Sequence, residues 1–261
     1  MDPAAKGHAV IEFSNVSKAY GDSVVLGPVS GTIQAGGITA LVGANGAGKS
    51  TLLTIMGRLL APTTGTVTIN GLDVQKAKSR DLAKVVSILR QENHLPARLT
   101  VRQLVALGRF PHSQGRLTAD CHEHIDRAID FLNLRSMADR YLDEMSGGQR
   151  QRAFVAMVLA QDTDYLLLDE PLNNLDMRHA VLMMKQLRRA ADELGKTVVI
   201  ILHDLNFASA YADRIIALSD GQIAATGTPA EIMQGDLLTE VFSTAVSVHR
   251  VAGCPTAFYY R

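Results

Sequence analysis

The stretch that most constrains the fold is a glycine-rich segment, Gly43-Ala44-Asn45-Gly46-Ala47-Gly48-Lys49-Ser50-Thr51. It matches the phosphate-binding pattern G-x-x-x-x-G-K-[ST] at every fixed position. The apolar run 38–42 before it is typical of a buried strand, and residues 51–56 after it are typical of a helix. We therefore predict a strand, a loop and a helix, which is the context in which this pattern binds phosphate.

Phosphate binding by such a loop depends on its backbone. Glycines allow the chain to curl until several N–H groups form a concave anion site, and a helix that starts near Gly48 adds donors and the positive end of its dipole. We expect Lys49 to reach the β- and γ-phosphates and the Ser50 hydroxyl to ligate Mg²⁺. The alternative, a glycine-rich turn that carries Gly-Lys-Ser by chance, is disfavoured by the flanking strand and helix. The chain is therefore predicted to bind a nucleoside triphosphate.

Composition narrows the class of protein. The 261 residues suffice for one large domain or for a domain with a subdomain. Lys plus Arg and Asp plus Glu number 26 each, so the chain lacks the basic excess of a general nucleic-acid binder. It has no apolar run of the roughly 20 residues that span a bilayer, and its N-terminus lacks the pattern of a secretory signal. Two cysteines without metal-ligand spacing suit a reducing compartment, so we expect a cytoplasmic protein.

The residues before the phosphate loop predict a small antiparallel sheet. Residues 10–13 alternate like an edge strand, and residues 24–26 and 29–33 are typical of further short strands. Turns are predicted by the breakers in and around these runs, Gly21, Gly27, Pro28, Gly31 and Gly36-Gly37. Further along the chain, Asn70-Gly71 predicts a tight hairpin turn, and Gly253-Cys254-Pro255 predicts a last hairpin. Tyr20 ends the first segment, and two roles are open for it: the ring stacks on a nucleotide base, or it packs as an ordinary turn residue.

A second region, from about residue 92 to residue 161, is dominated by helical periodicity. Helices are predicted over residues 101–107, 121–132 and 149–160. The region follows a predicted buried strand whose carboxyl end carries Gln91, and ligands gather at the carboxyl ends of parallel strands. We therefore predict a helical subdomain inserted into the main sheet, with Gln91 facing the site.

Two features of the helical segments have ordinary explanations. Cys121-His122-Glu123-His124 holds potential zinc ligands, but adjacent residues of a helix do not share one face, so an exposed helix start is expected instead. Three methionines, Met177, Met183 and Met184, have core-like spacing on a later helix, and we expect them to fill gaps in the core.

A second candidate anion site is Ser146-Gly147-Gly148-Gln149. Ser146 suits the N-cap of the apolar helix that follows, and the paired glycines expose N–H groups at the start of that helix. One chain does not obviously need two anion-binding helix ends for one nucleotide. Two chains that sandwich a nucleotide would use both.

Acidic and imidazole side chains follow two further predicted strands. The apolar run 165–168 ends in Asp169, which we expect to hold Mg²⁺ directly or through water, and in Glu170, which we expect to act as general base on the attacking water. His203 follows the apolar run 197–202. It is either a buried or capping histidine, or a group that contacts the γ-phosphate and the water.

Taken in order, these segments resemble an ATP-binding cassette subunit, and the resemblance covers nearly all of residues 10–242. The matching features are an aromatic A-loop (Tyr20), Walker A (43–50), Q-loop (Gln91), signature (146–149), Walker B (165–169), catalytic Glu170, D-loop (173–176) and switch His203. The resemblance implies one nucleotide-binding domain over residues 1–261 with an α/β P-loop NTPase fold. That fold has a mainly parallel core sheet, an N-terminal antiparallel β-subdomain and the inserted helical subdomain.

The resemblance also implies an ATPase that uses ATP and Mg²⁺. The implied catalytic residues are Glu170, His203 and Gln91, the implied metal ligands are Ser50, Gln91 and Asp169, and the nucleotide contacts are Tyr20, residues 43–51 and residues 146–149. A second copy of the chain would complete each ATP site head to tail. Membrane permease subunits, and through them an external substrate-binding protein, would be the other partners, which implies a place on the cytoplasmic face of the membrane and no nucleic-acid partner.

Within the family, the chain is similar to importers of ferric siderophores, haem and cobalamin, and most of all to siderophore-import ATPases. The similarity lies in residues 100–112, in Tyr141-Leu142-Asp143-Glu144 and in Leu172-Asn173-Asn174-Leu175-Asp176. The family more commonly has leucine at the position of Met145, proline at that of Arg90, and Ser or Thr at that of Asn173. A soluble cassette acting on ribosomes or DNA usually has two cassettes or a coiled-coil insertion, and a P-loop kinase would lack the signature, so both alternatives are disfavoured.

Overall fold

The computed structural model describes residues 10–91, 97–173 and 175–259. The chain divides into two compact units: Met1–Ala77 with Thr197–Arg261 is the first unit, and Lys78–Lys196 is the second unit. In chain order the strands are β1 (Val10–Tyr20), β2 (Ser23–Gln34), β3 (Gly37–Val42), β4 (Thr64–Ile69), β5 (Leu72–Asp73), β6 (Val86–Leu89), β7 (Tyr165–Leu168), β8 (Thr197–Ile201), β9 (Arg214–Ser219), β10 (Gln222–Gly227), β11 (Ser247–Val251) and β12 (Cys254–Phe258). The α-helices are α1 (Lys49–Met56), α2 (Ser79–Leu82), α3 (Val101–Leu107), α4 (Phe110–Ser113), α5 (Ala119–Phe131), α6 (Gly147–Ala160), α7 (Met177–Leu194), α8 (Leu205–Tyr211), α9 (Pro229–Ile232) and α10 (Gly235–Phe242). Within these described ranges, every helix is too short or too polar to cross a membrane.

The first unit contains a four-stranded antiparallel sheet in the order β2-β1-β4-β5. β1 therefore lies inside this sheet, and the prediction of an edge strand over residues 10–13 is wrong. Ile11 of β1 pairs with Ile33 of β2 on one side and with Ile69 of β4 on the other, and it is fully buried. An alternating pattern reports that one face of a strand is buried, but it does not report how many strands flank it.

The turns predicted at Gly27, Pro28 and Gly31 are also wrong, because all three residues lie within β2. β2 is an edge strand, and an edge strand tolerates a proline, which donates no hydrogen bond to a neighbour. Packing requires Gly31, because a Cβ at this position would lie 2.5 Å from Cζ of Phe13. In contrast, the turn predicted at Asn70-Gly71 is confirmed between β4 and β5, with φ angles of 52° and 77°.

The first unit also contains the strands that carry the phosphate loop. β3 pairs in parallel with β8 on one side and with β9 on the other, and β9 forms an antiparallel hairpin with β10. Residues 38–42 and 198–201 are buried, as expected for parallel strands covered on both faces. The register pairs Leu41 with Ile201, so β3 and β8 end side by side and their following segments leave the same edge.

The second unit joins a pair of parallel strands to a set of helices. β6 and β7 pair in parallel with Leu89 opposite Leu168, and the whole of β7 is buried. The helices predicted over residues 101–107, 121–132 and 149–160 are confirmed as α3, α5 and α6, which pack against one another. A separate helical subdomain over residues 92–161 stays a prediction, and its first residues, 92–96, lie outside the described residues.

Two predictions about the helices of the second unit need correction. Met183 and Met184 are buried as predicted, but Met177 is 82% exposed because it is the first residue of α7 and projects ahead of the packed face. At the start of α5, His122 and Glu123 are exposed, whereas Cys121 is buried. Cys121 lies on the apolar face of α5 with Ile125 and Ala128, at helical spacing. The sequence pattern underestimated how early in α5 this face begins.

One buried charge in the second unit was not anticipated. Arg109, 2% exposed, donates from Nη1 to the carbonyl oxygen of Ala160 at 2.9 Å and from Nη2 to Oδ2 of Asp120 at 3.2 Å. These bonds tie the end of α6 to the start of α5, so Arg109 has a structural role.

The C-terminal hairpin predicted around Gly253 is confirmed as β11 and β12. It is joined to α8 of the same unit, because Oγ of Ser209 donates to the carbonyl oxygen of Pro255 at 2.6 Å.

Candidate functional site

Three glycines shape the loop between β3 and α1, with positive φ at Gly43 (147°), Gly46 (81°) and Gly48 (92°). A Cβ at Gly43 would lie 2.1 Å from the carbonyl oxygen of Leu218, so this close approach of two backbones requires glycine. A Cβ at Gly46 would meet no described atom within 4 Å, and residues 44–46 are exposed. The outer face of the loop is therefore open, and the backbone is curled as phosphate binding requires.

α1 begins at Lys49, and no described side chain caps its first turn. Lys49 is only 5% exposed, and its Nζ donates to the carbonyl oxygens of Gly43 (2.9 Å) and Ala44 (2.8 Å). Its ammonium group is therefore held at the loop. Ser50 and Thr51 follow in the first turn of α1 and are half-buried. The loop therefore combines a cation, a helix N-terminus and a curled backbone. This combination suits an anion of several charges, such as a nucleoside triphosphate.

Tyr20 and His203 are the other predicted site residues of the first unit. Tyr20 ends β1 and is 57% exposed, with Nζ of Lys18 5.0 Å from the centre of its ring, so a planar group has room to stack on it. His203 is exposed, and the adjacent Asp204 caps α8 by accepting a bond from the backbone N of Asn206. His203 is therefore not a buried histidine, and its contact with a γ-phosphate stays a prediction.

In the second unit, the structure brings Gln91 and Glu170 together. Nε2 of Gln91 donates to Oε2 of Glu170 at 2.8 Å, and Nδ2 of Asn173 donates to the same oxygen. Glu170 has a left-handed backbone with φ of 49°, a conformation that costs a residue with a side chain about 1–3 kcal/mol. The carboxylate is thus carried on a strained turn directly after β7 and oriented by two amide donors.

Asp169 precedes this turn and is 5% exposed. Its backbone N donates to the carbonyl oxygen of Leu89 at 2.9 Å, which extends the pairing of β7 with β6 by one residue. Within the described ranges, no three His, Cys, Asp or Glu side chains form a metal cluster. Mg²⁺ commonly takes one or two carboxylates together with substrate phosphates, so Asp169 fits this ion better than a metal that needs an all-protein cage.

Asn173 is the functional candidate whose contact the sequence did not predict. In the sequence it lies in the predicted D-loop, residues 173–176, where it replaces the usual Ser or Thr. An amide three residues after a strand-terminal Asp-Glu pair is the signal that could have indicated the bond to Glu170. The neighbouring Asn174 of the same predicted D-loop lies outside the described residues.

The predicted N-cap at Ser146 is confirmed. Its Oγ accepts a bond from the backbone N of Gln149 (3.3 Å), and Oε1 of Gln149 accepts one from the backbone N of Ser146 (3.1 Å). This reciprocal pair satisfies two N–H groups and fixes how the chain enters α6. Ser146 and Gly147 are exposed, whereas Gly148 is buried against the ring of His179. The open part of this helix end is therefore Ser146 and Gly147.

Comparison with known proteins identifies the family. A family model described as ABC transporter matches residues 26–173, more than half of the chain. The petrobactin import ATP-binding protein FatE of Bacillus anthracis is 54% identical over 96% of this chain and 100% of its own length. The petrobactin import ATP-binding protein YclP of Bacillus subtilis (strain 168) is 50% identical over the same shares of the two chains.

A solved dimeric bacterial ABC transporter cassette is 30% identical and covers 84% of this chain and 98% of its own, with a TM-score of 0.75. This likeness confirms the predicted α/β fold of a P-loop NTPase. The chain therefore belongs to the ABC transporter family, in its group of ATP-binding proteins.

Proposed function

We propose that this chain hydrolyses ATP and thereby drives the import of an iron chelate, a ferric siderophore, through a partner permease. The observation that carries the hydrolytic part is the cluster formed by Gln91, which follows β6, with Glu170 and Asn173, which follow β7. The same chain also has the Lys49 phosphate loop. The cargo is supported by relatives named for import of petrobactin, at 54% and 50% identity, and for siderophore transport, at 41% identity.

In this proposal the loop at residues 43–51 holds the phosphates through its backbone N–H groups, and Lys49 neutralises charge on the β- and γ-phosphates. Tyr20 stacks on the base, which its exposed ring allows. Ser50, Gln91 and Asp169 would hold Mg²⁺, which when bound neutralises charge on the phosphates. Their hydroxyl, amide and carboxylate oxygens are the ligands that this hard cation prefers.

Hydrolysis then requires a base and contacts to the γ-phosphate. Glu170 takes a proton from the attacking water while the oxygen of that water bonds to the γ-phosphorus. The bond between the γ-phosphorus and the oxygen that bridges it to the β-phosphate then breaks, which leaves ADP and phosphate. Gln91 and Asn173 orient the carboxylate through Oε2. His203 contacts the γ-phosphate and the water, where a donor stabilises the charge that develops.

In this proposal, the second anion site binds the nucleotide that a second copy of the chain holds on its phosphate loop. This second anion site is Ser146-Gly147-Gly148-Gln149. A dimer is supported by the solved cassette described as dimeric and by a cassette 28% identical that is solved in a post-hydrolysis state with ADP and Pi. Closure of the dimer on ATP and reopening after hydrolysis would move the permease subunits. An external substrate-binding protein would supply the cargo, and the chain would work on the cytoplasmic face of the membrane.

Gene deletion in the source organism tests the proposal. Growth in iron-limited medium is measured with ferric petrobactin, other ferric siderophores, haem or unchelated iron as the iron source. We expect growth to be lost on one or more ferric siderophores and retained on haem and unchelated iron. Growth on the affected siderophore should return with the wild-type gene and remain absent with a gene that carries Glu170→Gln. A loss of growth confined to haem would overturn the siderophore assignment, and so would a loss of vitamin B12 uptake, measured separately, with growth on every ferric siderophore retained. Rescue by Glu170→Gln would overturn the role of hydrolysis.

A further inference from the structure

His179 is a well-held side chain of the second unit that the proposed roles leave unexplained. It lies in the first turn of α7, which Asp176 caps. The backbone N and the ring Nδ1 of His179 each lie 2.8 Å from the same atom, Oδ1 of Asp176. Because a carboxylate oxygen only accepts, Nδ1 is the protonated nitrogen and donates. The cap of α7 therefore fixes the orientation of the imidazole.

The fixed ring lies against the start of α6. A Cβ added to Gly148 would lie 3.0 Å from Cγ, 3.2 Å from Cδ2 and 3.3 Å from Cβ of His179. Such distances are tighter than ordinary van der Waals contact, so the ring and the glycine backbone are packed directly on each other. Gly148 is buried in this contact, while 32% of the His179 side chain is exposed. The imidazole thus supports the second glycine of the segment 146–149 from behind.

The contact between the His179 ring and Gly148 influences the positions of the adjacent Ser146 and Gly147. The capping box between Ser146 and Gln149 fixes the internal shape of the segment, but it is a local device that moves with α6 as a whole. The contact of Gly148 with His179 instead links the segment to α7. A shift of about 1 Å in a group that contacts the reacting phosphate can cost roughly a hundredfold in rate, so such a support has kinetic consequences.

We propose that His179 is a positioning residue for the segment 146–149: Asp176 locks the imidazole, and the imidazole supports Gly148 so that Ser146 and Gly147 meet the nucleotide of a second copy. The inference rests on the proposed function, because it needs a site shared between two copies. It adds that a residue six positions after Asn173 in the sequence acts on the partner's nucleotide and not on its own.

Mixed dimers with a single intact site test this inference. Two differently tagged copies are purified as a mixed dimer in which one copy carries Lys49→Ala, so the remaining site uses the phosphate loop of the unchanged copy and the segment 146–149 of the Lys49→Ala copy. His179→Ala is then placed either on the Lys49→Ala copy or on the other copy. Both dimers contain one changed histidine, so a loss of stability affects both equally.

We expect ATP turnover to fall about tenfold when His179→Ala is on the Lys49→Ala copy, and to stay within about twofold when it is on the other copy. ATP binding to the single His179→Ala chain, measured by calorimetry, should keep its Kd. His179→Phe retains a ring behind Gly148 and loses only the bond to Asp176, so its loss should be smaller than that of alanine. His122→Ala, which changes an exposed histidine of α5, is the matched control and should have no effect on either copy.

Three results would overturn the inference. Equal losses in the two arrangements would mean a general structural effect, and a loss only on the unchanged copy would mean that His179 acts within its own chain. A His179→Phe variant no better than alanine would remove the supporting role of the ring. If the mixed dimer is inactive before His179 is changed, the shared site of the proposed function has itself failed, which is a separate result.

Discussion

Replacing Asn173 with alanine removes one of two amide donors from Oε2 of Glu170 and leaves the other, from Gln91, in place. A hydrogen bond to a charged group contributes about 1.5–3 kcal/mol. Glu170 is half-buried and keeps its second donor, so the lower end, about 1.5 kcal/mol, applies. If this bond orients the base for proton transfer, kcat should fall about tenfold.

The assay is a double-mutant cycle on steady-state phosphate release, with ATP affinity measured separately by calorimetry. Asn173→Ala and Glu170→Gln are measured alone and together. Glu170→Gln alone should lower kcat by about 10²–10⁴, because it removes the base. In the Glu170→Gln variant, Asn173→Ala should lower kcat by less than about a further twofold, because the side chain that Asn173 orients no longer takes a proton. ATP affinity should be unchanged by Asn173→Ala.

A graded variant strengthens the test. Asn173→Asp has nearly the same shape but loses the donor and places a like charge beside Glu170, so its loss should exceed that of alanine. An orienting role of Asn173 is refuted if Asn173→Ala lowers kcat by the same tenfold with Glu170 and with Gln at position 170. Additive losses of that kind would mean that Asn173 acts elsewhere.

Substitutions at four further positions test the phosphate loop and the contact with the nucleotide base. Lys49→Ala should weaken ATP binding at least tenfold by calorimetry, since it removes a charge-assisted contact of about 1.5–3 kcal/mol; wild-type affinity would exclude the phosphate role. Tyr20→Ala should weaken ATP binding by about 1 kcal/mol and Tyr20→Phe should not, because stacking needs only the ring; equal losses would point to the hydroxyl instead. Gly46→Ala should cost about 1–2 kcal/mol in chemical denaturation from its left-handed backbone alone. Gly43→Ala should cost more because it adds a clash with Leu218, and equal costs would refute the close approach.

Patterns that are local in the chain predicted the structure well. The loop at residues 43–51, the N-cap at Ser146 and the hairpin turn Asn70-Gly71 each depend on the backbone preferences of a few adjacent residues. Turn chemistry, capping and glycine spacing can be identified without knowing what packs on the segment. The rule that ligands gather at the carboxyl ends of parallel strands predicted that Gln91 faces the site, and Gln91 is bonded to Glu170, another predicted site residue.

Features that depend on distant partners could not be predicted. Alternation in β1 did not reveal that strands flank it on both sides, and the glycine at position 31 is explained by the ring of Phe13, not by a turn. Likewise, helical spacing placed Met177 in the core, although the neighbours of α7 do not reach its first residue. The contact of His179 with Gly148 joins two helices of the second unit, and neither helix alone indicates it.

The central claim is that each ATP is hydrolysed at a site shared by two copies of this chain. The most direct test mixes Lys49→Ala chains with Ser146→Arg chains, after each is shown to be folded. Each variant alone should be nearly inactive, because every site in its dimer has one damaged half. The mixture should recover up to about a quarter of the wild-type rate, since half of the dimers are mixed and each has one intact site of two. Failure of every mixing ratio to recover activity would contradict the claim.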